Sequence, residues 1–110
     1  MTSRLATIAI DAADPRPIAE FWAAVLDWRI VEEDEAGVSI GPAGAAWPTI
    51  DVLKVPEPKT VKNRVHLDVD GDRDALVAAG ATLLRVRDAV IGWDVLADPE
   101  GNEFCCFAPE

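Results

Sequence analysis

RVHLDVD, residues Arg64 to Asp70, alternates apolar and polar side chains along its whole length. Successive side chains of a strand point to opposite sides, so Val65, Leu67 and Val69 share one face and Arg64, His66, Asp68 and Asp70 share the other. The pattern predicts a half-buried strand, with Val65, Leu67 and Val69 facing a helix and Arg64, His66 and Asp68 left on the polar side.

Toward the C-terminus, Asp72 to Ala79 reads as a short helix stopped by Gly80, and Thr82 to Arg87 and Trp93 to Ala97 read as strands. Asp98-Pro99-Glu100-Gly101-Asn102 has turn chemistry and leads into a last strand, Glu103 to Phe107. Toward the N-terminus, Pro56-Glu57-Pro58-Lys59 cannot continue a central strand, because proline removes ladder donors. It reads as a connection. Before it, Thr49 to Val55, Gly37 to Gly41 and the β-branched pair Ile30-Val31 give three strands. They follow a helix that starts near Asp14-Pro15 and runs to about Trp28. Ile18, Phe21, Trp22, Val25 and Leu26 recur on it at spacings of three and four, which makes one buried stripe. The chain opens on LATIAIDA, Leu5 to Ala12, with Ile8 and Ile10 on one face and Thr7, Ala9 and Asp11 on the other. Strand, helix and three strands therefore occur twice. The expected fold is α+β, two βαβββ modules (about 5–56 and about 63–109) in a single domain spanning 1–110.

Charge narrows the function classes. Ten Lys plus Arg against twenty Asp plus Glu give a net charge of −10 and a pI near 4.4, a field that repels phosphate backbones and anionic lipid. Nucleic-acid and membrane-surface roles are not expected. No apolar run approaches the roughly 18 residues of a membrane span, and Met1-Thr2-Ser3-Arg4 leads straight into a strand pattern rather than a signal-peptide core. A cytoplasmic protein is the expectation. The two cysteines, Cys105 and Cys106, are adjacent and point to opposite faces of their strand, so they form neither a disulfide nor a zinc-spaced pair. They read as thiols of a reducing compartment.

Four segments, IDAADP (Ile10 to Pro15), FWAAVLDW (Phe21 to Trp28), VPEPKTVKNRVHLDV (Val55 to Val69) and WDVLADPEGNEFC (Trp93 to Cys105), resemble the glyoxalase-like branch of the vicinal-oxygen-chelate superfamily. This is the glyoxalase, bleomycin-resistance and extradiol-dioxygenase group, and the resemblance spans nearly the whole chain. It implies a curved mixed sheet with helices on its convex face, a concave face that holds a small ligand, and chains paired as homodimers. Relatives often place a divalent metal there to chelate two neighbouring substrate oxygens.

The resemblance also implies site positions. Thr7 stands on the first strand where relatives carry His or Gln, and His66 matches the histidine that opens the fifth strand. Cys105 stands where relatives carry Glu. On the fourth strand Asp51 and Leu53 share a face, and either could hold the remaining position. Hard divalent cations prefer oxygen ligands, so His66, Asp51 and Cys105 suit zinc better than magnesium or manganese. No metal is assigned, and zinc is the ion this set would take.

The site expected from these readings has His66 as base or ligand and Thr7, Asp11, Asp51, Asp68, Trp93 and Cys105 as substrate contacts. Each has a plainer reading. His66, the single histidine, could be a hydrogen-bonded structural residue, Asp68 and Asp70 solvated carboxylates, and Cys105 a small hydrophobe. Among the four tryptophans, Trp22 and Trp28 read as core, whereas Trp47 and Trp93, near strand starts, could cover a ligand. Lys59, Lys62, Asn63 and Arg64 concentrate positive charge, either to steer an anionic substrate or a partner subunit, or as a solvated loop.

Two functions follow from the resemblance: a glyoxalase-like lyase or isomerase acting on a small oxygenated metabolite, or a non-catalytic, ligand-sequestering module of the bleomycin-resistance type. A ring-cleaving dioxygenase needs two histidines and a carboxylate for iron, and one histidine per chain argues against it.

Overall fold

The computed structural model describes residues 2–108. It divides into two compact units, Met1–Pro58 and Lys59–Glu110, with the boundary inside the Pro-rich connection. The first holds β1 (Ile8–Ala12), α1 (Pro15–Leu26), β2 (Arg29–Asp34), β3 (Gly37–Gly41) and β4 (Ile50–Lys54). The second holds β5 (Asp68–Asp70), α2 (Arg73–Ala78), β6 (Thr82–Arg85), β7 (Asp94–Ala97) and β8 (Glu103–Phe107). Each unit is a βαβββ module, and the fold is α+β.

The two sheets have the same wiring. Their strand orders are β1-β4-β3-β2 and β5-β8-β7-β6. In each, the first strand pairs in parallel with the last, and the remaining pairs are antiparallel.

In the first unit Pro15 opens α1, where its missing N–H is no loss, after Asp14 in extended geometry. Asp27 ends it in the left-handed region at φ 56°, so the last helical residue, Leu26, falls two before the expected stop near Trp28. Ile18, Ala19, Phe21 and Trp22 are buried, and Phe21 meets Trp22 edge to face at 5.3 Å. They pack with Val38, Ile40, Ile50 and Val52, all nearly inaccessible. Each such side chain contributes about 1.5–3 kcal/mol by leaving water. Gly37 opens β3 because a side chain there would place Cβ 2.1 Å from the Val52 carbonyl oxygen.

In the second unit the Asp72 carboxylate accepts from the Ala75 amide and caps α2, as a Ser/Thr/Asp/Asn cap should. Leu76 is the buried residue of this short helix. Leu96, Phe104 and Cys106 form the closed side of the sheet. Gly101 takes φ 93° in the Asp98–Asn102 turn, where Asp98 accepts from the Glu100 and Asn102 amides.

Several strand bounds need correction, including β1, which starts at Ile8 rather than Leu5, and β4, which spans Ile50–Lys54 rather than Thr49–Val55. The strand read over Arg64–Asp70 spans only Asp68–Asp70, and Val65 is 82% exposed instead of lying under a helix. A side-chain pattern needs a paired backbone to become a strand, and residues 64–66 are not in the ladder. β6 stops at Arg85 rather than Arg87, and β7 starts at Asp94 rather than Trp93. Among the described residues, no helix is long and apolar enough to cross a membrane.

Candidate functional site

Register places the site residues of the second unit side by side. Cys105 pairs with Asp68 on one flank and Val95 on the other, so the three side chains share one face of the sheet. The opposite face carries Val69, Cys106 and Asp94. One step along the site face, Trp93 meets Phe107 with ring centroids 5.6 Å apart. His66 enters from the segment before β5. Its Nδ1 lies 3.1 Å from Asp68 Oδ1 and 3.8 Å from Cys105 Sγ.

A carboxylate accepts, so Nδ1 is the donor in this contact, and in the neutral ring the lone pair then falls on Nε2. Cys105 is buried beside two exposed neighbours. Burial pushes its thiol pKa up, and the charge of Asp68 and a hydrogen bond to it push the same way. At neutral pH the group is a thiol and not a thiolate nucleophile.

Ligand atoms of His66, Asp68 and Cys105 all lie within 4.8 Å of one another. Nitrogen, oxygen and sulfur donors in one cluster fit a borderline-soft ion such as zinc better than a hard cation. The carboxylate that joins His66 and Cys105 here is Asp68, two residues along the same strand pattern.

Thr7, Asp11 and Asp51 belong to the first unit. Thr7 precedes β1, and its hydroxyl is tied to the Thr49 carbonyl and hydroxyl. Asp51 is half-buried on β4 and accepts from Ser39 Oγ at 2.6 Å. Asp11 is exposed on β1 opposite Leu53, which is itself partly exposed. Trp47 lies in the same unit and is half-exposed. Trp93 joins the His66 cluster through its contact with Cys105.

Two charged groups escaped the sequence reading. Glu103 accepts from the Asn63 amide and pairs with Lys59 Nζ, each at 3.0 Å, which holds its carboxyl well below the usual range, at about 2. Two members of the basic cluster at 59–64 are therefore engaged within the unit. Asp94 is completely buried on the helix side and is bound by Arg87 and Arg73. The alternation Trp93-Asp94-Val95-Leu96 puts Asp94 on the same face as the buried Leu96, and a buried carboxylate requires a cation.

The model of the family described as "Glyoxalase-like domain" matches residues 7–107. This chain is a glyoxalase-like domain. It belongs to the vicinal-oxygen-chelate superfamily, as the four motifs implied. No curated protein matches the glyoxalase-like chain by sequence search. Among solved structures it is similar to a glyoxalase/bleomycin resistance protein/dioxygenase family enzyme from Burkholderia phytofirmans PsJN, with TM-score 0.71, 22% identity, and coverage of 98% of this chain and 100% of that one. It is also similar to a mutant of a fosfomycin resistance protein from Listeria monocytogenes, complexed with Mn(II) and 1S,2S-dihydroxypropylphosphonic acid, at TM-score 0.73, 16% identity and coverage of 100% and 93%. A third is a bleomycin-binding protein from Streptomyces verticillus complexed with copper(II)-bleomycin, at TM-score 0.62, 17% identity and full coverage of both chains (100%). At these identities the likeness shows the fold.

Proposed function

We propose that the His66 face of the second sheet binds a small oxygenated metabolite and that the protein acts on it as a glyoxalase-like lyase or isomerase, with His66 as base. The convergence of His66, Asp68 and Cys105 within 4.8 Å carries the reading. Asp68 orients the imidazole through Nδ1, so that in the neutral ring Nε2 is the nitrogen able to accept a proton. Trp93 and Phe107 supply the apolar wall that small-molecule sites combine with a few convergent polar groups. Were a divalent ion bound, His66, Asp68 and Cys105 would hold it, with zinc the best fit, and it would supply Lewis-acid polarisation of substrate oxygens. The ligands named for the fosfomycin resistance and bleomycin-binding relatives support small-molecule binding as the common theme.

One observation favours the alternative, sequestration without turnover in the manner of the bleomycin-binding relative. Cys105 remains a neutral thiol, so the chemistry rests on His66 alone. We further propose that the protein works as a homodimer in the reducing interior of the cell, a reading supported by the exposed apolar edge strand β6 and by two free thiols.

A melting screen over small oxygenated metabolites and resistance-class antibiotics, with and without added zinc, tests the reading. A ligand that raises the melting temperature of the wild type but not of His66→Ala or Trp93→Ala supports the site. Turnover of that ligand supports the enzyme, and binding without turnover supports sequestration. Equal stabilisation of all three proteins would remove the site from this face.

A further inference from the structure

The segment that delivers His66 is outside the sheet ladder, yet it is fastened to β8 at two points. At one, Cys105 N–H donates to the Leu67 carbonyl at 3.0 Å. At the other, Glu103 Oε1 accepts from Asn63 N–H and from Lys59 Nζ, each at 3.0 Å, while Asn63 Nδ2 reaches the Glu103 carbonyl at 3.4 Å. Glu103 and Cys105 are alternate residues of one strand and so lie on one face. Between the anchors lie Arg64, Val65 and His66, all exposed.

We infer that Glu103 is a positioning residue: its carboxylate straps Lys59 and Asn63 to β8 and thereby sets where His66 stands beside Asp68 and Cys105. The inference rests on the reading of that cluster as the functional site. The strap is built for the task. The Lys59 and Glu103 side chains are only 19% and 17% exposed, so their ion pair is sheltered, unlike Arg16–Glu20 and Arg85–Asp88, which lie at the open surface. A carboxylate that accepts a backbone N–H and a cation together makes charge-assisted bonds, roughly twice as strong as neutral ones. Asn63 precedes His66 by three residues, a span that reaches at most about 11 Å fully extended, so freeing Asn63 frees the imidazole.

The test compares Glu103→Ala, Glu103→Gln and Lys59→Met in the full chain. The single imidazole lets nitrogen chemical shifts report which ring nitrogen of His66 carries the proton. In Glu103→Ala the Nδ1-protonated bias imposed by Asp68 weakens, and Asn63 amide exchange rises about tenfold, the loss of one such bond. Amides of Leu96 and Phe104 exchange as in the wild type. Glu103→Gln keeps an acceptor for Asn63 and restores most of both readouts, whereas Lys59→Met falls between. Unchanged His66 shifts in Glu103→Ala would overturn the inference. Should Glu103→Ala fail to fold, the ordering of Glu103→Gln and Lys59→Met against wild type decides, and equal His66 shifts in all three refute the strap. None of these readouts needs a ligand. A melting screen that finds no ligand for this face therefore removes the proposed function and leaves the strap to be judged separately.

Discussion

Arg87 binds Asp94 through both its backbone and its side chain: the Arg87 amide donates to Oδ1 at 2.8 Å, and Nε and Nη2 donate to Oδ2 at 3.2 and 2.6 Å. The carboxylate has no exposed surface, and Arg73 Nη1 adds a contact at 3.4 Å. These contacts close the loop between β6 and β7 onto the helix side of the second sheet. Asp94→Ala is expected to cost about 2–4 kcal/mol, since it empties a buried polar site and strands part of its donors. Arg87→Ala should cost more than Asp94→Ala, because it leaves the buried charge with Arg73 alone. Urea unfolding of the two variants checks the order, and equal small losses would show the pair to be a surface ornament.

Acid should unfold the protein in a definable window. Glu103 has a folded pKa of about 2 against an ordinary 4.5, and the Asp94 and Asp88 values are also lowered, by Arg87 and by the Ile91 amide respectively. For each, the folded pKa is below the unfolded one. The stabilisation is therefore complete above the unfolded value and is lost as pH falls from about 4.5 toward 2. Glu103→Gln should be less stable than wild type at pH 7 and show a shallower decline below pH 4.5. Parallel pH profiles for the two proteins would contradict the assignment.

Metal content gives a third check. Protein purified without added metal should hold well under one equivalent of divalent ion. Added zinc should bind through His66, Asp68 and Cys105, and more tightly as pH rises, because the Cys105 proton must leave. Calorimetry on His66→Ala and Cys105→Ser should show that binding lost. Stoichiometric zinc in the protein as purified, removed by His66→Ala, would make this a resident metal centre.

The Cys105 thiol should alkylate slowly at pH 7 and faster at higher pH. Asp68→Asn removes a charge and an acceptor that raise its pKa, so the pH of half-maximal alkylation should fall. Mass spectrometry of the modified strand follows the rate. An unchanged profile would mean that Asp68 does not address the thiol.

β6 is an edge strand, exposed on both faces, with Leu83 and Leu84 at 37% and 53% and Val86 just beyond its end at 49%. An edge of this kind is a ready partner surface. Light scattering at micromolar concentration should give about twice 11.8 kDa, and Leu84→Lys should shift it toward the single-chain mass. A wild-type mass of 11.8 kDa would exclude the homodimer.

The order of elements could be read from the chain because period and punctuation agree: Asp72 caps, Gly101 turns, and Glu103–Phe107 is the strand the pattern indicated. The same reasoning failed at Val65, where alternation was taken for pairing. There the segment is held to β8 through the Glu103 side chain, which accepts from the Asn63 amide, and not through a backbone ladder. His66, Cys105 and Asp68 were visible as candidates because they are chemically distinctive. Glu103 was not, because a carboxylate on a strand face looks solvated until the segment that folds across it is known. Asp94 could have been found, since its neighbours in the alternation are buried.

Cys105 and Cys106 look to opposite sides of β8, one beside His66 and the other bonded to the Gly71 carbonyl within the core. The strand therefore carries two clocks one residue apart. A thiol reagent should reach the first by local opening beside His66, and the second only when the sheet itself comes apart. The ratio of the two rates separates breathing of the site from collapse of the fold, in one molecule and without any label.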